Sequence, residues 1–359
     1  MNNTVTKIAI NGFGRIGRLF FRRAFGEKGL DIAAVNDLGD AENLAYLLKY
    51  DTVYGRYGKE VKTKPGALVV EGKAIVLLQE KDPAKLPWKK LGIDIVVEAT
   101  GIFESYEKAK AHLAAGAKRV VITAPAKDLA PEPVRCGAGA DGSPPAGGGR
   151  TILMGVNESE MDVCPITSNG SCTTNAASPV IQIMSEDPGI VKAILNTVHG
   201  YTATQNLVDG PTRGKDWRRG RAAGVNIVPS TTGAAIAVTR AIPELEGKFD
   251  GIALRVPVAS GSVADITFVA KRKTSVEEIN DIFRRAAKSP RWKGILAVTE
   301  DQVVSSDIIG EPYGAIVDLS FTKVVGGDLV KILSWYDNEY GYAAMLVKHV
   351  IRAAANLIK

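Results

Sequence analysis

One stretch of twelve residues, KIAINGFGRIGR from Lys7 to Arg18, restricts the fold more than any other part of the chain. An apolar run ends at Asn11, and Gly12, Gly14 and Gly17 then open a segment with helical periodicity. A strand that passes through a glycine turn straight into a helix is the first half of a βαβ unit, whose return strand lies parallel. The glycines permit the tight turn, close approach of a ligand to the backbone, and close packing of helix on strand. The unbonded N–H groups at the helix start favour an anion such as a pyrophosphate. Asp37 follows Gly17 by 20 residues at the end of the next apolar run, DIAAVN, where a carboxylate can hold ribose hydroxyls. A turn or capping role in NDLGD is the plainer reading of Asp37, and its spacing outweighs it. A carboxylate there repels a 2′-phosphate and no arginine follows closely, which favours NAD over NADP.

The same alternation continues. Apolar runs at IDIVVEAT and KRVVIT interleave with helix-like RIGRLFFRRAF and ESYEKAKAHLAAGA, and a strand at TILMGVN leads towards Cys172. This predicts an α/β fold with a doubly wound, Rossmann-type parallel sheet. Beyond residue 190 the apolar runs lengthen and alternate (VKAILNTVHGY, GIALRVPVASGSVADITFVA, GAIVDLSF, DLVKILSWYDN), with a helix at SVEEINDIFRRAAKS. A second, α+β catalytic domain on a mostly antiparallel sheet with helices on one face is expected there. A chain of 359 residues exceeds the size at which one core stops growing, so two domains are expected. Residues 1–171 are assigned to dinucleotide binding, 172–336 to catalysis, and a C-terminal helix within 337–359 is expected to pack back on the first. Within the first of these, between two flanking strands, 14 of the 20 residues from 130 to 149 are Gly, Pro or Ala, which reads as a mobile surface loop.

The net charge of +6 suits anionic ligands. The short basic cluster KDWRRGR lacks interleaved aromatics beyond Trp217, so nucleic acid is expected at most as a minor partner. No apolar run is long enough to span a bilayer and the N-terminus has no secretory pattern, so a cytoplasmic protein is expected. Three cysteines, at 136, 164 and 172, form an odd set without metal-ligand spacing; neither a disulfide framework nor a metal site is expected.

Cys172 stands in SNGSCTTN, among residues that begin helices. An isolated buried cysteine is more often a small hydrophobe than a nucleophile. A thiol with pKa ~8.5 is about 3% ionised at pH 7, and lowering it to ~6 requires roughly 3.4 kcal/mol. A helix N-terminus supplies at most ~1 kcal/mol at exposed sites, so a second partner is needed. Of the three histidines, His112 and His349 fall within helices, where surface or packing roles are expected; His199 ends an apolar strand before a polar loop. A pairing of Cys172 with His199 is the expectation, a buried thiol the alternative.

INGFGRIGR, VNDL, LLKYDTVYGR, ATGIF, SNGSCTTN, HGYTATQNLVDGP, STTGAA, RVPV and SWYDNEYGY follow one another in order, and the chain resembles the phosphorylating glyceraldehyde-3-phosphate dehydrogenases throughout, except over residues 130–149. The resemblance implies NAD-dependent oxidation of glyceraldehyde 3-phosphate with inorganic phosphate through a cysteine thioester. It implies Cys172 as nucleophile and His199 as its activating base. It implies Ser171, Thr173, Thr202, Thr232, Gly233 and Arg255 as phosphate-binding residues, joined by Arg219. Asn11, Gly12, Phe13, Gly14, Arg15, Ile16, Asp37, Lys81, Gly101 and Thr123 match cofactor contacts, and Asn338 and Tyr342 match residues that hold the nicotinamide. A homotetramer is implied, with residues 201–222 at subunit interfaces. Erythrose-4-phosphate oxidation is the rival reading, since it needs the same Cys–His pair. This sequence departs from the usual pattern at Lys81, Ala99, Thr123, Gly170, Ala176 and Ile236, where arginine, serine, serine, alanine, a frequent second cysteine and lysine are common.

Overall fold

The computed structural model describes residues 5–128, 148–162, 164–212, 215–355 and 357. The chain forms two compact units: one draws on Met1–Ile152, Asn157–Gly170 and Leu346–Lys359, the other on Leu153–Val156 and Ser171–Met345.

The first unit opens with β1 (Thr6–Asn11), α1 (Arg15–Ala24), β2 (Leu30–Asn36) and α2 (Ala41–Lys49). Three strands then follow without a helix between them: β3 (Val61–Lys64), β4 (Ala67–Val70) and β5 (Lys73–Leu78). A short α3 (Trp88–Leu91), β6 (Ile95–Glu98), α4 (Tyr106–Ala114), β7 (Arg119–Ile122), β8 (Gly149–Thr151) and β9 (Ile166–Ser168) complete a nine-stranded sheet of order β3-β4-β5-β2-β1-β6-β7-β9-β8. Its pairings are parallel except β3 with β4 and β4 with β5. Ile8, Ala9 and Ile10 are all fully buried, so both faces of β1 are covered, as a parallel sheet requires. Two hydroxyl or carboxylate caps start the helices here: Asp40 accepts from Asn43 N at 2.9 Å and Ser105 from Lys108 N at 3.2 Å.

The β3–β5 meander is an extension that the sequence reading did not include. The strand expected over TILMGVN is also shorter than its apolar content suggests. β8 ends at Thr151, and Met154–Asn157 form a turn in which Gly155 has φ +76° and Asn157 donates to Thr151 O at 2.9 Å. A side-chain amide that satisfies the last strand carbonyl competes with further pairing.

The second unit begins with α5 (Cys172–Glu186) and β10 (Ile190–Gly200), followed by β11 (Val228–Thr231), α6 (Ala234–Ala241), β12 (Phe249–Val256), β13 (Ser262–Ala270), α7 (Val276–Lys288), β14 (Leu296–Thr299), β15 (Ala315–Val325) and β16 (Leu329–Tyr336). The seven strands run β11-β12-β10-β13-β16-β15-β14, antiparallel except β10 with β12 and β14 with β15. β13 alternates between buried and half-buried residues along its whole length, so one face carries the core. That core joins Ala264, Ile266 and Phe268 of β13 to Val180 and Met184 of α5, Val238 of α6 and Phe283 of α7. The opposite face leaves Ile194 and Ile252 exposed. The last helix, α8 (Tyr340–Ala355), contributes its first six residues to the second unit and the rest to the first.

The segment 130–149 falls, except for its last two residues, outside the described residues, as does Cys136. Cys164 is disulfide-bonded and Cys172 is free. A disulfide framework was not expected, and an odd count of cysteines still leaves room for the single bridge that Cys164 makes.

Candidate active site

In the first unit the glycine turn behaves as its sequence demands. Gly12 has φ +94°, and a Cβ there would stand 2.6 Å from Ala99 C and Thr100 N. At Gly17 a Cβ would meet Gly12 O at 2.1 Å, while nothing lies within 4 Å of one at Gly14. The turn therefore packs tightly against β6 behind and leaves open backbone in front. A cavity of about 310 Å³ opens there, in the range of small-molecule sites. Asn11, Gly12, Gly14, Asp37 and Lys81 share its wall.

Asp37 anchors the turn as well as facing the cavity. Its two oxygens accept from Phe13 N at 2.6 Å and Gly39 N at 2.8 Å. A carboxylate has about four lone-pair sites, so two acceptor positions remain for sugar hydroxyls. The capping reading and the ribose reading of Asp37 are thus compatible.

Beneath the cavity lies a polar network the sequence reading missed. Glu98, 2% exposed, accepts from Asn11 Nδ2 at 2.6 Å and Thr100 N at 2.9 Å. His112 is fully buried beside it; Trp88 Nε1 donates to His112 Nδ1 at 3.0 Å, which leaves the ring proton on Nε2 to donate to Glu98 at 3.0 Å. Asn36 donates to Asn11 Oδ1 at 2.7 Å and exchanges bonds with the backbone of Glu80. These bonds fix the ends of β1, β2 and β6, from which the cavity is built. The four polar residues are scattered through apolar strands and a helix, and nothing in their spacing joins them.

Other expected cofactor residues lie outside the cavity wall. Phe13 has its ring in the core against Phe21, Arg15 pairs with Asp51 at 2.5 Å, and Ile16 is half-buried in the first turn of α1. Gly101 adopts φ +70° on an exposed turn and Thr123 follows β7, its N–H bonded to Glu98 O at 3.0 Å. Asn338 and Tyr342 are both buried in the second unit.

The second unit places Cys172 on the first residue of α5. Gly170 stands in the left-handed region with φ +65°, a conformation glycine takes without strain. Ser171 caps the helix: its Oγ accepts from Thr174 N at 3.1 Å while Thr174 Oγ1 accepts from Ser171 N at 3.1 Å. Cys172 Sγ lies 3.3 Å from Nε2 of His199, at the end of β10. The pairing expected from the sequence is present.

His199 is 2% exposed, and burial, helped by the Arg255 charge, pushes its pKa down to about 3. At pH 7 it is therefore a neutral imidazole, able to accept a proton. Nδ1 lies 2.7 Å from Gly200 O and 2.6 Å from the Arg255 guanidinium; the tautomer that donates to Gly200 O is the one that leaves the Nε2 lone pair facing the sulfur. Burial pushes the Cys172 thiol up, opposed by Arg255 and by hydrogen bonds from Thr173. Arg255, on the strand paired with β10 and with Nη1 2.6 Å from His199 Nδ1, is the cation that acts on the thiol, but burial outweighs it and the thiol stays above its ordinary value instead of being lowered. Tyr336 braces the pair, its hydroxyl 2.9 Å from Thr173 Oγ1 and 2.7 Å from Thr197 Oγ1, its ring edge-on to His199.

Arg219 and Arg255 supply the positive charge around this pair. Arg219 donates to Ser230 Oγ at 2.6 Å and Thr204 Oγ1 at 3.0 Å, and Thr204 Oγ1 is 3.0 Å from Thr202 Oγ1. Ser230 and Thr204 were not among the expected residues. Thr232 and Gly233 lead into α6, with Thr232 Oγ1 accepting from Ala234 N at 3.2 Å. A larger cleft of about 720 Å³ in the same unit, at Lys192, Phe249 and the exposed Ile236, contains none of these residues. Among the described residues no group of three His, Cys, Asp or Glu side chains is arranged to hold a metal ion.

Two profiles of known families match the chain: the NAD binding domain of glyceraldehyde 3-phosphate dehydrogenase over residues 6–106, and the C-terminal domain of the same enzyme over 171–338. The glyceraldehyde-3-phosphate dehydrogenase of Streptomyces coelicolor is 48% identical over 345 residues, covering 95% of this chain and 96% of its own. That of Clostridium pasteurianum is 46% identical over 349 residues, 96% and 97% of the two chains. Glyceraldehyde-3-phosphate dehydrogenase 2 of Bacillus subtilis is 44% identical over 353 residues, 98% and 97%.

Proposed function

The chain belongs to the glyceraldehyde-3-phosphate dehydrogenase family, and from that premise we propose how its own residues carry the reaction. It is an NAD-dependent oxidoreductase that oxidises glyceraldehyde 3-phosphate in glycolysis. The observation that carries the mechanism is the 3.3 Å approach of Cys172 Sγ to His199 Nε2 at the start of a capped helix.

Cys172 is the nucleophile. Its sulfur bonds to the aldehyde carbon as the thiol proton passes to the developing oxygen by way of His199, giving a thiohemiacetal. When bound, NAD supplies the acceptor for the hydride that leaves this carbon. His199 Nε2 takes the hydroxyl proton in the same step, so that the carbon becomes a thioester carbonyl and His199 an imidazolium. Inorganic phosphate then attacks that carbon, the Cys172 sulfur leaves, and the proton on His199 returns to it. The Cys172 N–H at the helix start and the imidazolium face the oxygen on which charge develops.

Asn11, Gly12, Gly14, Asp37 and Lys81 would hold the cofactor in the first unit, where the open backbone at Gly14 and the spare acceptor sites of Asp37 fit a dinucleotide. Phe13, Arg15, Ile16, Gly101 and Thr123 are read as supporting contacts, and Asn338 and Tyr342 as the nicotinamide holders. Arg255, Arg219, Ser171, Thr173, Thr202, Thr232 and Gly233 are read as the phosphate sites, a role favoured by two guanidinium groups whose charge reaches His199, one of them acting on the Cys172 sulfur as well. On this reading residues 1–171, with the helix in 337–359, bind cofactor and residues 172–336 perform chemistry.

A homotetramer is the proposed assembly, supported by the exposure of Leu207, Val208 and Trp217 in the segment expected at subunit interfaces. A particle of about 38 kDa by light scattering would overturn it. No helix among the described residues is long and apolar enough to cross a membrane, and a cytoplasmic enzyme is proposed.

The direct test is NADH formation with glyceraldehyde 3-phosphate, NAD and phosphate, run beside erythrose 4-phosphate. The three-carbon substrate is expected to give the higher kcat/KM, and a preference for the four-carbon sugar would reverse the assignment.

A further inference from the structure

Ser262 is the first residue of β13, the strand between β10 and β16. β10 ends on His199 and Gly200; β16 ends two residues before Asn338. The Ser262 hydroxyl, 1% exposed, bridges the two neighbours: Gly200 N donates to Oγ at 3.1 Å, and Oγ donates to Asn338 Oδ1 at 2.7 Å. A hydroxyl is the smallest side-chain group that accepts and donates at once.

The direction of this bridge fixes the amide. Ser262 has one proton, and Asn338 is the group that takes it. The 2.7 Å separation is typical of O–H···O and short for N–H···O, so the oxygen of Asn338, not its nitrogen, faces the serine. Ser260 Oγ, whose stronger contact is with Asp337 Oδ1 at 2.7 Å, lies 3.2 Å from the same oxygen. Asn338 is 4% exposed, and among the described residues no hydrogen bond to its Nδ2 is formed. The amide is held by its oxygen and presents its N–H groups.

We infer that Ser262 is a positioning residue that locks Asn338 as a hydrogen-bond donor towards the nicotinamide carboxamide oxygen and ties that amide to the end of the strand carrying His199. The inference rests on the proposed cofactor role of Asn338. Its consequence is that the site reads a carbonyl oxygen and is indifferent to the carboxamide NH₂. Without the serine proton the amide can turn, offering its oxygen to the NH₂ of NAD, whereas a methyl ketone has no matching donor.

The test is cofactor binding, followed by quenching of protein fluorescence, with NAD and with its 3-acetylpyridine analogue, which keeps the carbonyl and lacks the NH₂. The wild type is expected to bind the two with Kd values within about threefold. Ser262→Ala should weaken the analogue about tenfold and NAD only about threefold, the size of one net hydrogen bond. Ser262→Cys, close in size and a poor donor, should reproduce the shift if the alanine variant does not fold, and Ser262→Thr should restore the wild-type ratio. An unchanged ratio in the alanine or cysteine variant overturns the inference while leaving Asn338 as a cofactor contact. Asn338→Ala should weaken both ligands to a similar extent; unchanged Kd values there would remove Asn338 from the cofactor site and the inference with it.

Discussion

His349 and His199 share their burial and differ in their surroundings. His349, on α8, is fully buried and pushed down to about 3 by that burial; His199 is buried and pushed to about the same value. Around His349 the hydrogen-bonding side chains are neutral, Nε2 being 2.8 Å from Thr167 Oγ1 and Nδ1 3.1 Å from Asn169 Oδ1, with the Arg119 charge acting on the ring but, among the described residues, no nucleophile beside it. Around His199 stand one group that can change state, the thiol at 3.3 Å, and fixed positive charge, the Arg255 guanidinium at 2.6 Å with Arg219 beyond it. Arg255 Nε is buried and has no hydrogen-bond partner among the described residues, so its network has unused capacity. A lowered pKa therefore marks both sites, and only the reactive partner marks catalysis.

The largest expected effects separate the two histidines. Cys172→Ser should fold and bind NAD yet lose activity by more than a hundredfold, because a serine hydroxyl is hardly ionised at pH 7; NADH formation above a hundredth of wild type would overturn the nucleophile. His199→Asn should lower kcat by about 10² or more, in the range of a lost general base, with the thermal midpoint little changed. His349→Gln should do the reverse. Its kcat should stay within about twofold while stability falls by about 1–3 kcal/mol, the cost of leaving buried partners unbonded. If His349→Gln slowed turnover as His199→Asn does, the contrast would collapse.

Next comes Arg255→Leu, expected to raise KM about tenfold or more for glyceraldehyde 3-phosphate and far less for unphosphorylated glyceraldehyde. Equal effects on the two substrates would remove Arg255 from the phosphate site and leave it only as a neighbour of His199.

A smaller effect is shared by both histidines. Each has a folded pKa near 3, below the ordinary value near 6.5, so protons bind the unfolded chain first as pH falls. Stability from these groups is complete above about pH 6.5 and declines below it by ~1.4 kcal/mol per pH unit for each, until about pH 3. Urea unfolding at pH 7.0, 6.0 and 5.0 should show that slope, and His349→Gln should reduce it by about one histidine's share. An unaltered slope would mean that His349 is accessible to protons in the native chain.

The smallest expected change is at Asp37. Asp37→Ala should narrow the ratio of kcat/KM for NAD over NADP several-fold, with a modest loss of stability from the freed Phe13 and Gly39 N–H groups. An unaltered ratio would leave Asp37 with its anchoring role alone.

Local rules made the glycine turn, the helix start at Ser171 and the two sheet types legible in the sequence. Each rests on contacts a few residues apart, as when Gly17 must admit Gly12 O or Ser171 must cap Thr174 N. The pairing of Cys172 with His199 was legible as a choice among three histidines, and the resemblance in the motifs strengthened it. The β3–β5 meander was not, because short alternating strands without helices between them give no βαβ signal.

What the chain determines by itself is the inventory: a nucleotide turn with an acid 20 residues on, a cysteine at a helix start, and a histidine at a strand end. Tertiary structure alone decided that His112 serves Glu98 under the cavity, that Arg255 reaches His199, and that Ser262 joins Gly200 to Asn338. These partners are 14, 56, 62 and 76 residues apart. Periodicity tells which side of a strand is buried. It does not tell which strands lie side by side, and hydrogen-bond partners chosen across a sheet depend on that order.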